Sequence, residues 1–227
     1  GLVGSEMCIR DSTMPGVYNE GELEMVGFSV GVVERGSIID GSTISEGDML
    51  VGLASSGFHS NGYSLVRSVL DKGIAAGEFE LFGDYPGLKS SLASELLAPT
   101  RIYVKPILNL LRDFTVNGLC HITGGGFAGN IPRILPRGVR ARINPSSWPR
   151  PGVYGWIERE GGLDESELLR VFNCGVGMVV VVPEAQADDI RQRLEGLGER
   201  AYVIGRIERK ESDEESLLLD PSFEPSR

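Results

Sequence analysis

The chain has 227 residues, 41% hydrophobic and 24% charged, with a net charge of −10. That balance suits one or two soluble globular domains with a buried core and argues against nucleic acid as a partner, because phosphate backbones want a basic face. No apolar run approaches the roughly 18 residues of a membrane span. Three cysteines (Cys8, Cys120, Cys174) without metal-like spacing point to a reducing compartment rather than a disulfide framework.

Residues 1–12 match one reading frame of a widely used transposase sequencing adapter, so they are set aside as a sequencing-adapter artefact, with the natural chain cut upstream of Thr13. Residues 24–33 alternate Val26, Phe28, Val30 and Val32 and read as a strand. A single strand followed by a turn cannot fold alone. Residues 13–40 are therefore expected to be the tail end of an amino-terminal domain otherwise absent, ahead of a second domain over 41–210.

That second domain opens with a strand at 49–53. A turn follows that carries Ser55, Ser56, His59, Ser60 and Asn61 together with Gly57 and Gly62. Ser60 or Asn61 is suited to cap the next helix, whose apolar stripe is Leu65, Val66, Val69 and Leu70, with Gly73 placed to stop it. Residues 73–90 are weakly patterned and read as loop. Residues 99–112 have helical periodicity, and Pro106 either kinks that helix or marks the first turn of a second one.

Residues 116–122 read as a buried strand. It ends in His121, Thr123 and three glycines, Gly124, Gly125 and Gly126, which open a short helical segment. Backbone N–H groups at a helix start attract anions, although the glycines also suit a plain tight turn. The two histidines of the chain sit one in each glycine-and-hydroxyl turn. A phosphate-bearing small molecule held between the two turns is the natural expectation.

Further on, residues 139–143 read as a strand and Val153, Trp156 and Ile157 as a short helix. Asp164 with Glu167 resembles a capping box. Residues 179–182 are an all-apolar strand buried on both faces. A helix from Pro183 turns Ala187, Ile190, Leu194 and Leu197 inward, and residues 202–207 close the sheet. Residues 208–216, mostly charged, read as a solvated stretch that leads into an acidic tail over 211–227. Alternating strands and helices place the chain in the α/β class, as an α/β sandwich preceded by a remnant strand. Cys174 before Gly175 invites a nucleophile reading, but with no base beside it close packing is the better account. Trp148 and Trp156 are most simply core or interface residues.

The segments Met14-Pro-Gly, 55–67, 99–105, 121–127, 130–136 and 172–178, in this order and spacing, resemble the carboxy-terminal half of the phosphoribosylformylglycinamidine cyclo-ligase (aminoimidazole ribonucleotide synthetase) family. The resemblance implies the synthetase carboxy-terminal domain fold and an ATP- and Mg²⁺-dependent reaction. The formyl oxygen of formylglycinamidine ribonucleotide is phosphorylated, a nitrogen of the same molecule attacks, the imidazole ring closes and phosphate leaves. It also implies a cytoplasmic homodimer joined through its amino-terminal domain. That domain supplies most of the nucleotide and metal site, so this chain alone is expected to be inactive.

On the same resemblance, Ser55, Ser56, Ser60, Asn61, Thr123, Gly124, Gly125 and Gly126 hold substrate or phosphate, with no metal ligand among them. His59 and His121 move protons during ring closure, or each only donates a hydrogen bond to a phosphate or caps a helix. Two other readings stay open: another ATP-dependent synthetase of the same superfamily, or a non-catalytic module that binds a phosphorylated metabolite.

Overall fold

The computed structural model describes residues 29–211 and 213–224. It divides into two compact units, 1–38 and 39–227. In the first, the described residues hold one 3₁₀ turn, Arg35–Ser37. The strand expected over 24–33 lies mostly outside the described residues. Its described part, 29–33, is not a strand, and Val30 and Val32 are exposed.

The second unit is built on six strands: β1 Met49–Ala54, β2 Gly118–His121, β3 Val139–Ile143, β4 Val176–Val182, β5 Ala201–Arg209 and β6 Leu217–Leu219. They form one sheet in the order β2-β4-β1-β5-β3-β6. Every pairing is antiparallel except β3 with β6. The central strands carry apolar side chains on both faces because helices cover both. Val179 and Val181 of β4, with Leu50 of β1, point into one core. Val180 and Val182, with Met49, Val51 and Leu53, point into the other. The period-two alternation of a strand thus feeds two cores instead of one.

The first core is closed by α1 (Tyr63–Ala76), α2 (Leu92–Leu96), α4 (Gly126–Asn130), α5 (Gly152–Gly161) and α6 (Glu165–Val171). Trp156 and Trp148 are both buried in it. The second core is closed by α3 (Val104–Asp113) and α7 (Ala187–Gly196), through Ile107, Leu110, Ile190 and Leu194. Pro106 sits in the first turn of α3, where a missing N–H costs nothing. Asp164 caps α6, accepting the Glu167 N–H at 2.8 Å. No helix among the described residues is long and apolar enough to cross a membrane.

Four local expectations are corrected. Neither Ser60 nor Asn61 caps α1. The cap position is Gly62 in the left-handed region (φ 76°), and a Cβ there would lie 2.1 Å from the Phe172 ring. Gly73 does not stop α1 but lies inside it, because the Phe79 ring packs where a side chain would be; Gly77 (φ 72°) ends the helix. Leu197 follows α7 and is 44% exposed instead of facing inward.

The residues after β5 are not merely a solvated stretch. Arg140 pairs with Glu214 (2.8 Å), β6 adds a parallel strand beside β3, and Phe223 is buried beneath the Arg142 and Arg206 guanidinium groups. The charges that suggested a solvated segment are instead partners for the arginines of β3.

Candidate functional site

The 55–61 turn leaves the end of β1 and is held from inside by a buried hydrogen-bond network. The Gly57 carbonyl accepts from Ser55 Oγ (3.0 Å), Tyr154 OH (2.8 Å) and Asn173 Nδ2 (2.9 Å). Asn173 Oδ1 in turn accepts from the Gly175 N–H (2.9 Å), and Gly175 O accepts from the Ser55 N–H (2.8 Å). Ser55 is therefore fully buried and braces the turn. Ser56 Oγ donates to the Pro99 carbonyl (2.6 Å), and Ser60 Oγ bonds Thr100 Oγ1 (2.9 Å). Both tie the turn to the segment that leads into α3.

His59 stands at the centre of this arrangement. Its backbone is in the left-handed region (φ 59°), unusual for a residue with a side chain, and it is 4% exposed. Nε2 accepts the Ser56 N–H (3.2 Å) and the Arg101 N–H (3.5 Å). That places the ring proton on Nδ1, which is buried without a partner. Burial first, then the neighbouring His121 and Arg101, lower its pKa to about 4, so the ring is neutral at pH 7. The ring rests over Gly177 of β4, where a Cβ would lie 2.4 Å from Cε1. Beside it, Tyr103 OH donates to the Ala54 carbonyl (2.8 Å).

His121 closes β2. Its ring centroid is 6.3 Å from His59 and 6.2 Å from Tyr103. Unlike His59 it is exposed, and partial burial lowers its pKa from the ordinary value. It lines a groove of about 470 Å³ with Arg101, Tyr103, Ile107, Leu119 and Met178. Arg101 is fixed there by Glu199 (Nε to Oε2, 2.7 Å).

The second turn is braced by Asn130, which sequence reasoning assigned no role. Its Nδ2 donates to the carbonyls of Gly126 (2.7 Å), Thr123 and Gly124 (3.3 Å each), while Thr123 Oγ1 donates to its Oδ1 (3.0 Å). Gly125 (φ 92°) and Gly126 (φ 57°) are left-handed, and a Cβ on Gly126 would lie 2.0 Å from the Leu169 carbonyl oxygen. These glycines are thus required by backbone shape and close packing. The helix they open, α4, has five residues, and the Gly126 N–H is used inside the turn by Thr123 O (3.1 Å). Gly124 faces the other turn, its Cβ position 3.4 Å from Asn61 Oδ1.

The tertiary fold therefore brings the two turns together, with Asn61 against Gly124 and His59 against His121. It turns Ser55 and Ser56 to structural use. Tyr103, Arg101, Thr100 and Gly177 also belong to the site. Residues 99–105 and 172–178, which hold them, carried the family resemblance, but periodicity alone gave those segments no chemistry. Cys174 is no nucleophile: its thiol is buried and pushed up to about 12, and its carbonyl accepts the Trp148 Nε1–H (2.9 Å).

Residues 45–217 match the family model described as AIR synthase related protein, C-terminal domain. Among curated relatives, phosphoribosylformylglycinamidine cyclo-ligase of Geotalea uraniireducens is 51% identical over 96% of this chain and 61% of its own length. The Geotalea daltonii protein of the same name is 53% identical over 91% of this chain and 57% of its own length. The chain thus spans about three fifths of the relatives it matches. Among solved structures, thiamine-monophosphate kinase from Stenotrophomonas maltophilia superposes with TM-score 0.54 at 18% identity, covering 83% of this chain and 55% of its own. A hydrogenase maturation protein HypE gives 0.50 at 16% identity, over 82% and 57%. These two likenesses concern the fold alone. The sequence matches decide the family: this chain belongs to the AIR synthase related proteins, of which it carries the C-terminal domain.

Proposed function

We propose that this chain is the carboxy-terminal part of an ATP-dependent cyclo-ligase that closes formylglycinamidine ribonucleotide to aminoimidazole ribonucleotide in purine biosynthesis. One observation carries the reading. Two hydroxyl-and-glycine turns, distant in sequence, meet at one end of the sheet around His59, His121 and Tyr103, within relatives that bear this enzyme's name. In this reading the parent protein is a cytoplasmic homodimer.

His121 is the group placed to take the proton that the attacking nitrogen loses on ring closure. It is exposed to the groove, and its lowered pKa keeps it unprotonated near pH 7. His59 does not exchange protons there. Its Nε2 is committed to two backbone N–H groups, so it is a positioning residue that sets the turn carrying Ser60 and Asn61. Asn61, Gly124 and Thr123 form the adjoining wall for substrate. Closing the ring joins two ends of one molecule, so holding them together supplies much of the acceleration.

ATP supplies the phosphoryl group that makes the formyl oxygen a leaving group. No group of three His, Cys, Asp or Glu side chains among the described residues could hold a metal ion. In this reading Mg²⁺ is held mainly by the amino-terminal domain with the nucleotide phosphates, and no step is assigned to it here.

The test is a chimera that joins the amino-terminal portion of the Geotalea uraniireducens relative to residues 39–227, assayed for aminoimidazole ribonucleotide formation. His121→Ala in that chimera should lower kcat by about 10²–10⁴-fold with unchanged melting. A folded, ATP-binding chimera that makes no product would sink the reading.

A further inference from the structure

The helix α3 is apolar on two sides. Ile107 and Leu110 face the second core. Val104, Leu108 and Leu111 recur at i, i+4 and i+7 on the side turned away from it. Ile102, just before the helix, extends this outer stripe. Ile102 is 78% exposed, Val104 59% and Leu108 56%. The other helix over the same core, α7, shows the contrast. Its outward side carries Asp188 and Glu195, both exposed and both paired with Arg191. A helix that is apolar on both sides has a second surface to cover.

The stripe lies in the groove of His121, beside Leu119 of β2 and Met178 of β4. There β2 is the edge strand, so no strand among the described residues continues the sheet past it. Two observations decide what covers the stripe. The first is charge. Lys105 and Arg112 flank it and are exposed, while the acid at the end of the helix, Asp113, is taken by Arg193 (2.7 Å). Two copies joined through this face would set cations against cations. The second is length. The Geotalea uraniireducens relative matches 96% of this chain over only 61% of its own length, and residues 45–217 are of the C-terminal domain type. The rest of that relative is an amino-terminal portion. A body that reaches His121 along the groove rests on the stripe.

We infer that the outer stripe of α3 is an interdomain face, covered in the parent protein by the amino-terminal portion, which closes the open side of the His121 groove. The inference rests on the proposed function for the nature of the parent, and its test reads burial instead of turnover.

Hydroxyl-radical footprinting read by mass spectrometry compares the full chain with the chimera of the Geotalea uraniireducens amino-terminal portion and residues 39–227. Oxidation of Ile102, Val104 and Leu108 should be at least about fivefold slower in the chimera, as for side chains at the dry centre of an interface. Ile74, exposed on α1, should oxidise equally in both. Val104→Lys with Leu108→Lys should leave the melting temperature of the full chain unchanged, because both side chains already face water there. In the chimera the same pair should return Ile102 to the oxidation rate of the full chain. Concentrating the full chain about a hundredfold should leave its footprint unchanged, since a self-association would respond to concentration. If the first chimera does not fold, the Geotalea daltonii portion replaces it. The inference is overturned if the stripe oxidises as fast in a folded chimera as in the full chain, or if the paired lysines leave the protection intact. It is also overturned if concentrating the full chain protects the stripe, which would make a second copy the occupant. A chimera that protects the stripe yet forms no product supports this inference and counts against the ring-closing reading alone.

Discussion

Replacing Gly177 by alanine tests whether the site is as tightly built as its geometry indicates. A β-carbon at 177 would lie 2.2 Å from the Tyr103 hydroxyl oxygen, 2.4 Å from His59 Cε1 and 3.1 Å from His59 Nδ1. None of these is the loose end of a flexible chain. Tyr103 is held by Ala54 O at 2.8 Å, and His59 by two backbone N–H groups. The methyl must therefore push a ring off its hydrogen bonds.

Overpacking of a core costs about 1–3 kcal/mol, and a displaced hydrogen bond about 1 kcal/mol more. The expected loss is about 2–4 kcal/mol. For a domain of this size that lowers Tm by roughly 4–16 °C, measurable by calorimetry and by urea unfolding at constant m-value. Without the clash the sign reverses. Gly177 lies in a strand at an ordinary φ, where alanine in place of glycine would add about 0.5–1 kcal/mol of stability. An unchanged or raised Tm would therefore refute the packing at the site. Removing the hydroxyl with Tyr103→Phe should partly rescue Gly177→Ala, and a double-mutant cycle reads that coupling.

Stability should fall on acidification between about pH 6.5 and pH 4. His59 has its folded pKa depressed to about 4 from 6.5, so the unfolded chain binds the proton first, and stability present above pH 6.5 is lost as pH falls toward 4. His59→Gln, followed by urea unfolding at several pH values, should flatten that slope. Asn173→Ala should cost about 2–4 kcal/mol, because it leaves the buried Gly175 N–H without its acceptor, removes a donor to Gly57 O and opens a cavity beside Tyr154. Tyr154→Phe should cost about half as much by the same unfolding assay. Cys120 and Cys174, both buried and both pushed up to about 12, should resist iodoacetamide in the native protein and label only on unfolding, as read by mass spectrometry. Deleting 213–227 should destabilise the domain by about 3–6 kcal/mol, from lost burial of Leu217 and Phe223; a tail without structure would leave Tm unchanged.

Several features were legible in the residues alone because their causes are local. The apolar run at 179–182 needs cover on both faces, Asp164 and Glu167 carry their own capping geometry, and Pro106 can only begin a helix or break one. The glycine-and-hydroxyl turns could be recognised for the same reason. What each polar residue in those turns does was decided only by contacts from far along the chain. Ser55 is buried because Tyr154 and Asn173 close over Gly57, about 100 residues away. His59 is held neutral because β4 passing beneath its ring and the 99–105 segment bury it, with the charges of His121 and Arg101 adding to the effect. Gly62 and Gly73 are glycines because Phe172 and Phe79 occupy their side-chain space. The charged residues near the carboxy terminus look solvated in sequence and become part of the sheet because β3 carries arginines at Arg140 and Arg142 to receive them. Local pattern settles which segments become strand, turn or helix. Which donors remain free for a ligand depends on partners that only tertiary packing assigns.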